Sequence, residues 1–155
     1  MLLTPFIDLF KTTCFWSPLC AWMAASLTKM LCSYVQTGRL DFRYLVRTGG
    51  MPSAHSATVS GLATAVGLTT GFGSPLFAIA LAFSFLTMFD ASTVRRSAGL
   101  QAQLLNEMID ELFTEHHFSE RRLKAFLGHT RLEVFVGMIM GVLVGLLVTS
   151  MAVLT

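Results

Sequence analysis

An all-α bundle embedded in a membrane is the fold class this sequence predicts, on three observations. Hydrophobic residues make up 54% of the 155-residue chain and charged residues only 13%, against roughly 25% charged in an ordinary soluble domain. The mean hydropathy is +0.65. The apolar residues also gather in four long runs, the pattern of helices that enter or cross a bilayer. The length predicts a single domain, residues 1–155, with about four membrane helices and a polar connector near 90–128.

The first run covers residues 14–34 and carries Lys29 near its end. A cleaved signal peptide needs a basic start and a small-residue cleavage site. Here Asp8 and Lys11 precede the run, and although Ala24-Ala25-Ser26 imitates a cleavage site, the run reads as a retained helix. Cys14, Cys20 and Cys32 fall within it, with no CxxC pair and no histidine at ligand spacing, so they read as small buried hydrophobes. The second run, 53–70, is rich in small residues (Ala57, Ser60, Gly61, Ala63, Ala65, Gly67) that suit close helix packing in lipid. Residues 71–75 form a turn, and the third run is 75–89. Both middle runs fall short of the ~20 residues a spanning helix needs, so they either tilt through a thinned bilayer or form a hairpin that does not fully cross.

Within the connector, Leu100, Leu104, Met108 and Leu112 recur at helical spacing and predict an amphipathic helix over 95–115. His116 and His117 follow in a solvated turn, then a basic piece, Arg121-Arg122-Leu123-Lys124. The fourth and most hydrophobic run is 129–153. If all four runs cross, Arg39, Arg43, Arg47, Arg95, Arg96, Arg121, Arg122, Lys124 and Arg131 share one side, while the other side holds only Lys11. The positive-inside bias then puts the connectors 35–52 and 90–128 in the cytoplasm and both termini on the opposite side of the cell membrane. The same helix count gathers Lys29, residues 49–55, Asp90, Arg95, Arg96, His129 and Glu133 at that cytoplasmic face.

Two stretches there carry chemistry. Gly49-Gly50-Met51-Pro52-Ser53-Ala54-His55 places glycines, which allow close approach of the backbone, before a helix whose first turn Pro52 suits. The free N–H groups and dipole of such a turn attract an anion, and His55 can exchange a proton near neutral pH. A plain helix cap accounts for the same residues. His129 and Glu133, four apart, share one helix face, where the carboxylate can fix the imidazole tautomer. A simple ion pair at the start of a helix is the other reading.

Taken together, these stretches resemble a known superfamily. Pro52-Ser53-Ala54-His55 is similar to the PSGH motif of the type-2 phosphatidic acid phosphatase (PAP2) superfamily, which includes the vanadium haloperoxidases. The segment from His129 to Val134 resembles the HxxxD end of its third motif. Residues 49–57, 90–99 and 128–137 look more closely like the small divergent PAP2 membrane proteins, also described as acid phosphatase/vanadium-dependent haloperoxidase-related. The resemblance runs from Lys29 to the C-terminus.

It implies a PAP2-like helical core and a division of labour. His129 would be the nucleophile that takes the phosphoryl group, with Glu133 holding and polarising it. His55 would protonate the leaving oxygen and then activate water. Ser53 and the backbone N–H groups of 50–54, Gly50 and Ala54 included, would cradle phosphate oxygens. Lys29 and one or both of Arg95 and Arg96 would neutralise the transition state. Such chemistry rests on positioning and cations, and a covalent histidine splits the displacement into two easier steps. The chain departs from the superfamily pattern in places. The first motif, KxxxxxxRP, is unmatched, since Gln36-Thr37 stands where Arg-Pro should follow Lys29. Arg122-Leu123 replaces the SR pair, Glu133 the usual Asp, and Ala54 the usual Gly. The phosphate-binding arginine is therefore expected from Arg95 or Arg96.

The sequence thus predicts a membrane-embedded phosphatase acting on a lipid phosphate or polyprenyl diphosphate through a phosphohistidine. No metal and no cofactor are expected, nor a nucleic-acid partner; the partners are the lipid bilayer and a phosphorylated amphiphilic substrate, with a homo-oligomer left open. The alternative is a non-catalytic protein that binds phosphate or anionic head groups with the same pocket. A transporter is the weaker third reading, drawn from Lys29 inside a span. Gln101, Gln103 and Asn106 are further candidates to line the pocket, and Asp90 to hold an arginine of the pair.

Overall fold

The computed structural model describes residues 4–38, 50–112 and 128–154. Among them are six helices and no strand: α1 (Thr4–Leu9), α2 (Thr13–Thr37), α3 (Ala54–Thr70), α4 (Pro75–Ser92), α5 (Val94–Leu112) and α6 (Arg131–Leu154). The four apolar runs form α2, α3, α4 and α6, and the amphipathic stretch forms α5. Short α1 lies ahead of every predicted run.

Hydroxyl side chains set the helix starts. Thr12, Ser53 and Ser74 accept N–H bonds from Cys14, Ser56 and Phe77 at the heads of α2, α3 and α4. Pro75 occupies the first turn of α4, where its missing N–H costs nothing. Pro52 does not play that part in α3. The helix begins at Ala54 behind the Ser53 cap, so Pro52 stands before the cap rather than in the first turn.

Helix α3 is the centre of the bundle. It packs on α2, α4 and above all α6, while α2 and α6 also touch each other and α5 rests on α4. Cys14 meets Thr69 at one end of α2 and α3, and Lys29 meets Gly50 at the other. Successive long helices therefore run antiparallel. The end of α2, the start of α3, the end of α4 and the start of α6 share one end of the bundle.

Rows of mostly small residues at four-residue spacing face inward where α2, α3 and α6 meet. On α6 the buried row is Gly137, Gly141, Gly145 and Thr149. On α3 it is Ser53, Ala57 and Gly61, and on α2 it is Ser17, Ala21, Ala25, Lys29 and Ser33. The fit leaves no room for side chains. A Cβ at Gly137 would overlap the Ser53 carbonyl, one at Gly141 the Ala57 carbonyl, and one at Gly145 would lie 2.8 Å from Thr64 Cβ. Ser17 Oγ donates to Gly61 O (2.9 Å) and Ser84 Oγ to Val59 O (2.9 Å), tying α2 and α4 to the α3 backbone. The largest fully buried side chains are serines. This core coheres through backbone proximity, the mode expected where lipid removes the hydrophobic drive between helices.

Large apolar residues instead cover the outside, among them Phe83, Phe85, Leu86 and Phe89 on α4 and Leu143 and Leu147 on α6. Among the described residues, two stretches, Pro75–Ile109 and Arg131–Leu154, are long and apolar enough to cross a membrane. Helix α3 has 17 residues, about 26 Å at 1.5 Å per residue. Because α2, α4 and α6 surround it, close packing sets its composition and contact with lipid does not. The molecule is an all-α helical membrane protein.

Gly141→Val should destabilise the bundle by about 1–3 kcal/mol or more through overpacking, measured as a fall in the unfolding midpoint in detergent. Gly73→Ala is the control and should have little effect, since nothing lies within 4 Å of the added Cβ.

Candidate functional site

The helix ends that meet at one end of the bundle bring the two histidine stretches together. His129, 4% exposed, lies just before α6, and its backbone N–H donates to Ala91 O at the end of α4 (3.0 Å). Its Nδ1 is 2.9 Å from Glu133 Oε2. That same oxygen accepts the Thr130 N–H at 3.2 Å, while Thr130 Oγ1 accepts the Glu133 N–H at 3.3 Å. Thr130 and Glu133 therefore form a capping box, in which an N-cap hydroxyl and a carboxylate three residues later satisfy each other's backbone donors. Glu133 thus lies against His129 at the start of the helix, and it also caps that helix, a role the sequence reading did not include. The box also gives a reason for Glu where the superfamily pattern has Asp, since Glu or Gln is the residue that reaches back from this position.

Helix α3 is clipped to the same place. The Ser53 N–H donates to Glu133 O (3.0 Å), which sets the first turn of α3 beside that of α6. The His55 and His129 ring centroids are 6.2 Å apart with planes at 64°. Ser53 Oγ, fully buried, accepts from both the N–H and the hydroxyl of Ser56, at 3.4 and 3.1 Å. With Ser56 as the donor, the Ser53 hydroxyl proton is left to point elsewhere.

Lys29 completes the group from α2. It is 5% exposed although it ends in an amine, and it lies close enough to the Glu133 carboxylate to interact with it electrostatically. Its methylenes pass Gly50, where a Cβ would lie 3.6 Å from Lys29 Cδ. Space is therefore not what requires glycine there. The backbone is, because Gly50 has φ 85°, a left-handed conformation that other residues adopt at a cost.

The expected backbone cradle is smaller than the sequence suggests. Pro52 has no N–H and the Ser53 N–H bonds to Glu133 O, which leaves the N–H groups of Gly50, Met51 and Ala54 from that stretch. The arginine pair starts α5, within five residues of Ala91. Arg96 is exposed, and the Arg95 side chain lies outside the described residues. Gln101 and Gln103 are also exposed, and Gln103 Nε2 donates to Glu107 Oε1 (3.2 Å) along α5. Gly49, His116, His117, Arg121, Arg122 and Lys124 fall outside the described residues. Among the described ones, no three His, Cys, Asp or Glu side chains gather as metal ligands.

The chain matches the Divergent PAP2 family over residues 10–144. It belongs to that family. A curated relative, the "Uncharacterized membrane protein YuiD" of Bacillus subtilis (strain 168), is 38% identical over 141 residues, covering 84% of this chain and 89% of the relative. No solved structure matches.

Sequence reasoning missed three parts of this divergent PAP2 protein's site. Thr130 was readable, because Thr130-x-x-Glu133 before an apolar run is a capping-box signature. So was the row Gly137, Gly141, Gly145, a small-residue repeat at four-residue spacing. Ser56 gave no signal, since a serine one turn into a small-residue helix is unremarkable until its partner is known.

Thr130→Ala should cost about 1 kcal/mol, seen as a lower melting temperature in detergent. Glu133→Gln, which keeps the box chemistry, should stay close to wild type in that measurement. An unchanged Thr130→Ala would sink the capping account.

Proposed function

We propose that this divergent PAP2 protein is a membrane-embedded phosphatase that needs no metal and works through a phosphohistidine at His129. The observation that carries the reading is the convergence of His129–Glu133, His55, Ser53 and Lys29 from three helices on one small region. Glu133 engages Nδ1 of His129 and so leaves Nε2 as the attacking nitrogen. As Nε2 bonds to phosphorus and the bond to the leaving oxygen breaks, the imidazole gains positive charge, which Glu133 balances. His55 is close enough that one phosphate oxygen can lie within hydrogen-bond reach of both rings. It donates a proton to the leaving oxygen, then takes one from the water that releases phosphate. Lys29, the Ser53 hydroxyl and the Ala54 N–H face the equatorial oxygens, with Arg95 or Arg96 brought in from the start of α5.

A site at a helix-bundle end in a membrane protein suits a lipid phosphate or polyprenyl diphosphate. With four spans and the basic connectors in the cytoplasm, the site faces the cytoplasm and both termini lie opposite. One observation favours a second reading, a non-catalytic binder of phosphate or anionic head groups. The first-motif arginine is absent, and the described Arg96 is exposed.

Phosphate release from a panel of lipid phosphates in detergent distinguishes the two readings. His129→Ala should abolish release, and His55→Ala should lower kcat by about 10²–10⁴-fold. Phosphate or vanadate binding with no turnover of any substrate would favour the binder. A reporter fused to the C-terminus should read outside the cytoplasm, and a cytoplasmic signal overturns the orientation.

A further inference from the structure

Helix α5 is joined to α4 without a linker. Thr93 belongs to both: its N–H donates to Phe89 O (3.0 Å) and its carbonyl accepts the Ser97 N–H (2.9 Å). Its own φ of −120° and ψ of −71° depart from helical values, so the break falls at that one residue. Helix α4 has 18 residues, about 27 Å at 1.5 Å per residue, close to the ~30 Å hydrocarbon thickness of a bilayer. A crossing α4 therefore ends at the bilayer surface, and α5 begins there with no tether to carry it away. At 3.6 residues per turn Val94, Leu104, Leu105 and Met108 fall within about 100° of one another on α5. All four are about half exposed, 48–58%. Ser97 and Gln101 share this sector, which carries no charge. Arg96, Gln103 and Glu107 lie within about 40° of one another on the other side, all exposed. On α4, Leu86 and Phe89 are exposed as well, so exposed apolar residues follow the chain from one helix to the next.

We propose that α5 lies flat in the interface of the bilayer that holds the bundle. The side of Leu105 and Met108 sits among the lipids, and the side of Gln103 and Glu107 faces water. An amphipathic helix of modest overall hydrophobicity takes that position rather than crossing. Charge does not hold it there. The α5 sequence has two arginines and three acidic residues, whereas a helix attached through anionic lipid is rich in Lys and Arg on its polar face. The partner is the lipid surface itself, zwitterionic lipid included. Lipid covers the apolar side with no cost in association, since the bilayer is already in place where α5 begins, and a second copy of the chain has to be recruited. The helix also sets a depth. Ala91, whose carbonyl accepts the His129 N–H, stands three residues before Val94, so a surface-bound α5 keeps the candidate site at head-group level, whichever chemistry it performs.

The test is spin labelling of the full chain, with Cys14, Cys20 and Cys32 changed to alanine, in phosphatidylcholine vesicles. Leu105→Cys, Met108→Cys, Gln103→Cys and Glu107→Cys are labelled one at a time and read by power saturation against oxygen and a water-soluble nickel chelate. Labels at 105 and 108 should lie about 5–10 Å below the head groups, and those at 103 and 107 in water. A label at Arg131→Cys, two residues after His129, should read within the head groups. Replacing half of the lipid with phosphatidylglycerol should leave these depths unchanged. Should the cysteine-free chain fail to fold, benzoylphenylalanine at 105 in the chain with its own cysteines should crosslink to lipid, and at 103 should not. Labels at 105 and 108 that lie in water, or a depth that appears only with phosphatidylglycerol, overturns the proposal. So does a label at 105 shielded from both oxygen and nickel, with dipolar broadening between copies, or a crosslink from 105 to another copy, either of which assigns the apolar side to a second chain. A label at 131 that reads deep in the hydrocarbon or in bulk water overturns the depth given to the site.

Discussion

The contact between α6 and the backbone of α3 is the constraint on which the rest of this structure depends. Three glycines four residues apart let one helix lie directly against the carbonyls of the other, at positions where any side chain would collide. The fully buried side chains among the described residues are serines and alanines. In lipid this is an effective design, because dispersion contacts and backbone proximity gain where the hydrophobic effect between helices is absent. The large side chains are free to face the bilayer.

The polar residues extend the same geometry. Glu133 stands one turn before Gly137 in the α6 row, Ser53 begins the α3 row, and Lys29 follows Ala25 in the α2 row. Close packing that aligns the small residues must therefore deliver these three side chains to one place. The bond from the Ser53 N–H to Glu133 O is the last rung of that alignment. Precision at the site comes from rigid helix contacts, which hold a constellation better than loops do.

Much of the fold was legible because composition and run length are strong signals in a membrane chain. Residues 14–34, 53–70, 75–89 and 129–153 read as helices, and they are α2, α3, α4 and α6 within a few residues. Helix counting alone put His55 and His129 at one end. What could not be read was which face of each helix meets which neighbour. The four-residue glycine repeat of α6 was legible but not the helix it would meet, and Pro52 looked like a first-turn residue because a Pro-Ser pair fits either position. Only the hydrogen bonds of Ser53 decide that the helix starts after it. The capping role of Glu133 went unread, since the four-residue spacing to His129 points to the imidazole while the cap runs on the three-residue spacing to Thr130.

The direction of the helices gives the site its sign. Helices α3 and α6 both begin there, so two positive dipole ends converge within reach of the His55 and His129 rings. The opposing negative ends are kept away or engaged. Helix α2 runs two further turns past Lys29 before it ends at Thr37, and the Ala91 carbonyl at the end of α4 accepts the His129 N–H. Lys29, buried nearby, is a further basic group at this end of the bundle. The Glu133 carboxylate, tied to the Thr130 N–H and to His129, offsets part of the field of those helix starts and acts on Lys29 as well. Two helix starts and Lys29 meet at this end of the bundle, and the Glu133 carboxylate there is turned toward its own helix.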